Sequence, residues 1–181
     1  MKFEEKKVSS NTVYSGKILR LDVDEVVLPD GKPAVRECVR HTGGAAALFI
    51  REGNVALVRQ YRYLYGEELY EIPAGKLERG EDARLAAMRE LEEETGYRAA
   101  SAKHLLDIYP TPGYTDEVIH IYLIDEAVYT AQRLDEGEFL NVEFLPLCEV
   151  LSLIESGAIK DAKTVCAVHK YVLSLKNKCF G

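Results

Sequence analysis

Three glutamates, Glu90, Glu93 and Glu94, carry the strongest chemical signal in this sequence of 181 residues. They fall in a stretch from Leu85 to Thr95 that is rich in helix-forming residues and contains no glycine or proline. In a helix that turns by about 100° per residue, the three carboxylates share one face and repel each other. Because hard divalent cations bind oxygen ligands and would relieve this repulsion, the spacing predicts a divalent-metal site.

The other residues of this helix predict its ends and its packing. Glu81 and Asp82 stand near the predicted start, where the helix dipole favours negative charge, and Gly96 is a natural stop. An apolar side, roughly opposite the carboxylates, should meet the core: Leu85, Met88 and Leu91. Small residues on the carboxylate side would let another segment come close: Ala83, Ala86 and Ala87.

The spacing around the glutamates resembles the Nudix box, G-x5-E-x7-R-E-U-x-E-E-x-G-U, in which U is a bulky apolar residue. Every fixed charged residue and both glycines are present from Gly75 onward, and Tyr97, where an aliphatic residue is usual, is the sole departure. The glutamates alone could form a solvated acidic face partnered by Arg84 and Arg89, but the full spacing favours the box. The resemblance implies hydrolysis of a diphosphate linkage with Mg²⁺, or with Mn²⁺ as the alternative metal.

The resemblance also implies roles for individual residues. The metal ligands would be the backbone carbonyl of Ala74 and the carboxylates of Glu90 and Glu94. Glu93 would support the metal cluster or its waters. Arg89 and Glu81 would orient the glutamates from behind, as groups around a metal's own ligands commonly do.

Residues outside the box resemble the ADP-ribose pyrophosphatase branch of this family. The matching features are the run RQYRY that ends at Tyr63, the segment from Glu71 to Lys76, and Pro112-Gly113, where a proline at this distance from the box marks the branch. The N-terminal segment resembles bacterial members in which this lobe exchanges between two subunits. The resemblance implies a homodimer that converts ADP-ribose to AMP and ribose 5-phosphate.

Several residues are expected to contact that substrate. Arg62 would reach the diphosphate or the terminal ribose, since its planar fork suits phosphate oxygens, although a surface cation at a strand end is the alternative. Arg36 falls where the family places a side chain against the adenine, but it could equally be an exposed strand residue. The rest of the expected substrate-binding set is Glu71, Pro112 and Gly113, with Glu117 as another loop carboxylate facing the site.

The catalytic base is expected on an acidic loop late in the chain. Aligning the strand that follows this loop with the family places Glu138 in the role, with Glu136 as the second choice. A glycine-containing acidic loop is also what an ordinary solvated connection looks like. Two other interpretations stay open at this point: a different substrate (a GDP-sugar, a dinucleoside polyphosphate or an oxidised nucleotide), and a non-catalytic ADP-ribose sensor. The intact Glu90, Glu93 and Glu94 argue against the sensor.

Strands and helices around the box must position these groups. The sequence predicts strands at 21–29, 33–41, 43–50, 55–63, 118–125 and 140–147, with a turn at Pro29-Asp30-Gly31, and closing helices at 150–156 and 162–175. Strands on both sides of a central helix imply a mixed sheet between helices, hence the α/β class. The resemblance adds the form: a Nudix α/β/α sandwich over residues 41–181, preceded by a small antiparallel β lobe over residues 1–40 that dimerises.

Composition excludes several function classes. The content of 47% hydrophobic and 29% charged residues is ordinary for a soluble globular protein. A net charge of −7 argues against a nucleic-acid partner, and no apolar run approaches the roughly 18 residues of a membrane span. The charged N-terminal residues do not resemble a secretory signal, so a cytoplasmic location is expected. Four scattered cysteines predict free thiols: Cys38, Cys148, Cys166 and Cys179.

Overall fold

The computed structural model describes residues 3–179, and their side chains through residue 175. The chain forms two compact units. The N-terminal unit runs through Gly43 and includes the later segment Tyr109–Val118, and the second unit comprises Gly44–Ile108 and the chain from Ile119 onward.

The N-terminal unit is a three-stranded antiparallel sheet. Its strands are β1 (Lys6–Ser15), β2 (Leu19–Val27) and β3 (Pro33–His41), paired in the order β1-β2-β3. The turn between β2 and β3 is confirmed, since Gly31 has φ 85° and its N–H donates to the carbonyl of Leu28 at 2.9 Å. Sequence patterns did not predict β1 as a strand of ten residues, because every one of them is exposed and no apolar alternation marks it.

The segment Tyr109–Val118 belongs to this unit through contacts with β3. The N–H of Val39 donates to the carbonyl of Tyr114 at 2.7 Å, and the N–H of Asp116 donates to the carbonyl of Val39 at 3.1 Å. The carboxylate of Asp116 also accepts the N–H of His41 at 2.9 Å. A loop distant in sequence is thereby fixed to the edge of the N-terminal sheet.

The second unit is built on a seven-stranded mixed sheet. Its elements are β4 (Gly44–Arg51), β5 (Asn54–Arg62), β6 (Glu67–Glu71), β7 (Ala74–Lys76), α1 (Ala83–Thr95), β8 (Tyr97–Ala99), β9 (Lys103–Ile108), β10 (Ile119–Ile124), β11 (Ala127–Tyr129), β12 (Leu140–Pro146), α2 (Leu147–Glu155) and α3 (Ala162–Cys179). The order is β12-β5-β4-β10-β9, with β6 on β5, β7 on β4, and a separate β8–β11 pair. The β4–β10 pair is parallel, and the other pairs are antiparallel.

Helices cover both faces of this sheet, as expected. On one face, alternate residues of β4 pack with buried residues of α1: Ala45 with Ala86 and Ala87, and Ala47 and Phe49 with Leu91. On the other face, Ala46 and Leu48 pack with Val150 of α2 and Val168 of α3. Successive strand side chains point to opposite faces, so β4 is buried on both. The α/β/α sandwich is confirmed.

Helix α1 has the predicted caps but not all of the predicted contacts. Asp82 caps its start by accepting the N–H groups of Arg84 and Leu85, and Gly96 ends it with φ 78°. The expectation that Leu85 meets the core is wrong, since this residue is 55% exposed. The reason is that α1 approaches β4 through its alanines, which lie closer to the carboxylate side than to Leu85.

Two further features bear on the sequence expectations. Cys38, Cys148 and Cys166 are free thiols, as predicted, and the side chain of Cys179 lies outside the described residues. Among the helices of residues 3–179, none combines the length and the apolar character that crossing a bilayer requires.

Candidate active site

The glutamates of α1 face the strand segment that precedes the box. Glu94 is only 4% exposed, and its Oε2 accepts the backbone N–H of Ala74 at 3.1 Å. Ala74 begins β7, which pairs with β4, so the sheet holds this backbone in place. The structure thus brings Glu94 and Ala74, two of the three expected metal ligands, into direct contact.

Glu90, the third expected ligand, lies against Gly75. A Cβ atom added to Gly75 would stand 1.9 Å from Oε1 of Glu90 and 2.1 Å from its Cδ. Glycine is therefore required here because the Glu90 carboxylate occupies the space that any side chain would take. This close approach explains physically why the box begins with a glycine.

Arg89 donates hydrogen bonds to three carboxylates of the box, those of Glu81, Glu90 and Glu93. Its Nε donates to Oε1 of Glu81 at 3.0 Å, and its Nη1 donates to Glu90 at 2.8 Å and to Glu93 at 2.7 Å. The hydrogen bond from Arg89 holds the pKa of Glu81 below its ordinary value. Arg89 thus links the carboxylate of Glu81 to those of Glu90 and Glu93.

Burial and neighbouring carboxylates disfavour the charged forms of Glu94 and Glu90. Burial, followed by the charges of Glu90 and Glu138, raises the pKa of Glu94 to about 8. Burial also raises the pKa of Glu90, although Arg89 opposes that rise. These shifts show that the carboxylates repel one another and that Glu138 is near enough to contribute.

This arrangement fits a hard divalent cation. No three acidic, histidine or cysteine side chains within residues 3–175 converge closely enough to form a cage by themselves. The expected set needs only two carboxylates, Glu90 and Glu94, and the carbonyl of Ala74, all of them oxygen donors. Mg²⁺ is typically held by one or two carboxylates together with substrate phosphates, and a cation would favour the charged forms that burial and repulsion disfavour.

The expected base lies on the loop before β12. Oε1 of Glu138 accepts a long hydrogen bond, 3.4 Å, from the amide of Gln60 on β5, and its Oε2 accepts the N–H of Asp135 at 3.4 Å. Glu138 is half-buried, whereas Glu136 is exposed. After burial, the charge of Glu138 contributes to the raised pKa values of Glu94 and Glu90.

Arg62 is anchored by a buried carboxylate. Its Nε and Nη2 donate to the two oxygens of Glu71 at 2.5 and 2.7 Å, and Nζ of Lys163 also donates to Glu71. Burial opposes the ionisation of Glu71, but the hydrogen bond from Arg62 and the charge of Lys163 outweigh it, so its pKa is lowered. Arg62 is therefore a fixed, half-exposed cation, not a free surface side chain.

The other expected site residues belong to the N-terminal unit. Arg36, on β3, makes a two-pronged ion pair with Glu5, at 2.6 and 2.9 Å. Pro112 and Gly113 are exposed in the segment Tyr109–Val118. Oε1 of Glu117 lies 3.4 Å from Nδ1 of His41.

Sequence reasoning missed two residues that contact this set. Gln60 approaches Glu138, and Lys163 pairs with Glu71 across 92 positions of sequence. Gln60 stands inside the RQYRY run, so its proximity to Arg62 was a usable signal. Lys163 had no local signal, because only the packing of α3 on the sheet brings it to Glu71.

Comparison with known families decides the classification. A family model described as the NUDIX domain matches residues 40–168. The chain belongs to the Nudix family. A second model, the nucleoside diphosphate sugar hydrolase N-terminal domain, matches residues 5–39 of this Nudix chain.

Individual proteins align with the chain over nearly its whole length. It is 43% identical over 181 aligned residues to a methanol dehydrogenase activator of Bacillus methanolicus, covering 97% of this chain and 98% of that one. It is 42% identical over 168 residues to an ADP-ribose pyrophosphatase of Bacillus subtilis (strain 168), covering 91% of each. A crystal structure of an ADP compounds hydrolase superposes with a TM-score of 0.85 at 22% identity, covering 98% of each chain, and shows the same fold.

Proposed function

We propose that this Nudix chain hydrolyses the diphosphate bond of ADP-ribose, releasing AMP and ribose 5-phosphate. The observation that carries the proposal is its 42% identity to the Bacillus subtilis ADP-ribose pyrophosphatase over 91% of both chains. The packing of Glu94 on Ala74 and of Glu90 on Gly75 supports a working site, since these contacts bring the expected ligands together.

The residues of the chain divide the work of this reaction. Ala74, Glu90 and Glu94 would hold the divalent cation, which neutralises phosphate charge and acidifies water when bound. Arg62, fixed by Glu71, offers its guanidinium to the diphosphate oxygens. Glu138 takes the proton of the attacking water, and its half-buried place on the loop before β12 supports this role over the exposed Glu136.

The proposal also includes the metal that the protein binds, its location in the cell and its assembly. Mg²⁺ is the metal we propose, because a pair of carboxylates acting with substrate phosphates is its usual protein site. The free thiols of Cys38, Cys148 and Cys166 support a reducing, cytoplasmic location. The proposed assembly is a homodimer formed through the N-terminal sheet, with Arg36, Pro112 and Gly113 among the substrate contacts.

A substrate panel tests the proposal. The wild-type protein is incubated with Mg²⁺ and, in parallel, ADP-ribose, GDP-mannose, diadenosine polyphosphates and 8-oxo-dGTP, and the products are separated by chromatography. AMP should appear fastest from ADP-ribose, and chelation of the metal with EDTA should stop its formation. Faster turnover of another compound would overturn the substrate, and tight binding of ADP-ribose without hydrolysis would indicate a sensor.

A second candidate function is activation of a dehydrogenase. It is favoured by the 43% identity to the Bacillus methanolicus activator over 97% of the chain. Adding the purified protein to a methanol dehydrogenase assay tests it directly. An increase in dehydrogenase rate would support this candidate, and an unchanged rate together with ADP-ribose hydrolysis would leave the pyrophosphatase as the function.

A further inference from the structure

The first turn of α3 contacts the residues that lead into the box, Glu71-Ile72-Pro73-Ala74, here called the 71–74 segment. The hydroxyl of Thr164 accepts the backbone N–H of Ile72 at 2.8 Å, and both residues are fully buried. A buried N–H needs a partner, and this strand end obtains one from a side chain 92 positions away.

Asp161 fixes the hydroxyl of Thr164 from the other side. Its Oδ2 accepts both the N–H and the Oγ1–H of Thr164, the former at 3.0 Å. Because the hydroxyl donates to Asp161, its lone pairs remain available for Ile72. The start of α3 is thus set to receive the 71–74 segment.

Lys163 makes a second connection to the segment. Its Nζ donates to Oε2 of Glu71 and to Oδ1 of Asp161, the latter at 3.0 Å, and its side chain is only 10% exposed. The same Glu71 carboxylate receives Arg62. Two cations, Lys163 and Arg62, therefore neutralise the one carboxylate of Glu71.

The other end of the segment is held by the sheet and by α1. The carbonyl of Pro73 accepts the N–H of Ala47 at 2.9 Å, and the N–H of Ala74 donates to Glu94 at 3.1 Å. All four residues of the segment are therefore fixed: Glu71 and Ile72 by α3, Pro73 by β4, and Ala74 by Glu94 of α1. A displacement at Ile72 must pass through Pro73, whose ring restricts φ, to Ala74.

We propose that Thr164 and Lys163 are positioning residues for the hydrolysis proposed above, and the inference rests on that function. Thr164 sets the backbone of the 71–74 segment, and with it the carbonyl of Ala74. Lys163 and Arg62 both donate to the Glu71 carboxylate. Lys163 therefore sets the orientation of the Arg62 guanidinium and leaves more of its positive charge available to the diphosphate. The two residues act on different parts of the site, and their effects on kinetics should differ.

Removal of the Thr164 hydroxyl tests the first role. Thr164→Val keeps the shape of the side chain but leaves the Ile72 N–H without its acceptor, whereas Thr164→Ser retains the hydroxyl. We expect Thr164→Val to lower kcat about tenfold or more through misplacement of Ala74. Its affinity for Mn²⁺, measured by electron paramagnetic resonance without substrate, should fall several-fold, and Thr164→Ser should restore most of both losses.

Removal of the Lys163 charge tests the second role. Lys163→Met keeps an unbranched apolar stem, and Lys170→Met, exposed on the same helix, is the matched control. We expect Lys163→Met to raise KM for ADP-ribose several-fold while changing kcat and Mn²⁺ affinity less. Lys170→Met should leave all three quantities unchanged, and the melting temperature of each variant is recorded beside them.

The outcomes separate this inference from the proposed function. Thr164→Val with a lower melting temperature but unchanged kcat and Mn²⁺ affinity would overturn the role of Thr164 in the site. An unchanged KM in Lys163→Met would do the same for Lys163. If the wild type fails to hydrolyse ADP-ribose, the proposed function fails, but the Mn²⁺ comparison of Thr164→Val with Thr164→Ser still decides whether the segment positions a metal site.

Discussion

Glu94 combines burial, the close charges of two carboxylates and a hydrogen bond to the backbone of Ala74. Replacing it with glutamine should lower kcat at least about 100-fold, because a cation ligand worth several kcal/mol is lost. Stability at pH 7 should be nearly unchanged, since the amide fills the same volume and the Glu94 carboxyl, with its pKa raised to about 8, is already mostly uncharged at that pH. Steady-state kinetics at saturating Mg²⁺ and thermal melting measure the two effects.

The control for this variant is Glu92→Gln on the same helix. Glu92 pairs with Arg98 and makes none of the contacts made by Glu90 or Glu94. It should keep nearly full activity. Near-normal turnover by Glu94→Gln would instead remove Glu94 from the metal site.

Gly75 allows a test in which no charged residue is replaced. In Gly75→Ala the new Cβ would meet the Glu90 carboxylate 1.9 Å away, and the flexible end of Glu90 would have to move. We expect a loss of kcat of up to about 100-fold, as a 1 Å misplacement can cause. The free energy of unfolding should change by less than about 1 kcal/mol, because no backbone atom is struck.

A double-mutant cycle gives the decisive comparison for Gly75. If its methyl group acts only by displacing Glu90, then adding Gly75→Ala to Glu90→Ala should cause little further loss of activity. Fully additive losses would show that the glycine is needed for another reason.

For individual residues, the contacts that could be predicted from the sequence were those between residues close together along the chain. Glu90, Glu93 and Glu94 share one helix, so their common face follows from helical periodicity alone. Lys163 and Thr164 reach the 71–74 segment from 92 positions away, and only the docking of α3 brings them there. Leu85 shows the opposite failure, since a large apolar residue was expected in the core where small alanines let the helix pack more closely.

Among the elements, the end of α1 depends on a glycine that no other residue can replace without strain. Gly96 has φ 78°, and a Cβ there would lie 2.8 Å from Tyr129 and 2.9 Å from the backbone nitrogen of Gln132. Gly96→Ala should therefore lower the free energy of unfolding by about 3 kcal/mol, from the left-handed backbone and the overpacking together. Urea denaturation measures the loss.

Gly157, which follows the end of α2, is the matched control for Gly96. It has φ 77°, but a Cβ there would meet nothing within 4 Å. Gly157→Ala should lose only the roughly 1 kcal/mol of left-handed strain. Equal losses in both variants would show that the contacts with Tyr129 and Gln132 add nothing to the requirement for glycine.

The N-terminal sheet is held by a buried acid whose ionisation depends on folding. The hydroxyl of Thr12, opposed by burial and assisted by Arg20 and Arg40, lowers the pKa of Asp22 from 3.8 to about 2. A lowered pKa means that the stabilisation is complete above the unfolded value of 3.8 and is lost as the pH falls towards 2. Asp22→Asn should therefore be less stable than the wild type at pH 7, and the difference should shrink as the pH falls from about 4 to 2.

Hydrogen exchange of the amides in β1–β3, followed by NMR from pH 7 downward, checks this expectation locally. Glu37→Gln, at an exposed position of β3, is the control and should exchange like the wild type. A stability difference between Asp22→Asn and the wild type that did not shrink between about pH 4 and pH 2 would contradict the assigned cause.

Three of the strands that sequence patterns did not predict are either fully exposed or very short. β1 is exposed along its whole length, and β7 and β8 have only three residues each, too few for a period-2 pattern to be recognised. β4 was predicted because its apolar run is buried on both faces of the sheet. The strands β6, β9 and β11 were not predicted either. Because Leu105, Leu106 and Ile108 of β9 pack against the core, burial of apolar surface alone did not make a strand predictable.

For the whole molecule, the two family matches meet between residues 39 and 40, whereas the compact N-terminal unit reaches Gly43 and adds Tyr109–Val118. No local pattern indicates this addition, because it depends on backbone pairing of Val39 with Tyr114 and Asp116. The N-terminal unit is consequently discontinuous in sequence, and its loop carries Pro112 and Gly113. Removing residues 1–43 would leave that loop without its partners.

Assembly is the property of the whole chain that the N-terminal sheet should govern. Val13 on β1 and Val35 on β3 are 52% and 58% exposed, so both side chains are available to an interface formed by the N-terminal sheet. We expect a dimer in size-exclusion chromatography with light scattering. Val13→Lys and Val35→Lys should each shift the mass towards the monomer, because a charge at a dimer interface must be desolvated.

Val128→Lys separates this effect from a general response to added charge. Val128 is 66% exposed on β11 of the second unit, so the change adds the same charge at a similarly exposed valine outside the N-terminal sheet. Its mass should remain that of the wild type. A monomeric wild type would contradict the dimer itself, whereas a dimer that only Val128→Lys dissociates would place the interface on the second unit, since the added lysine acts only where it is buried.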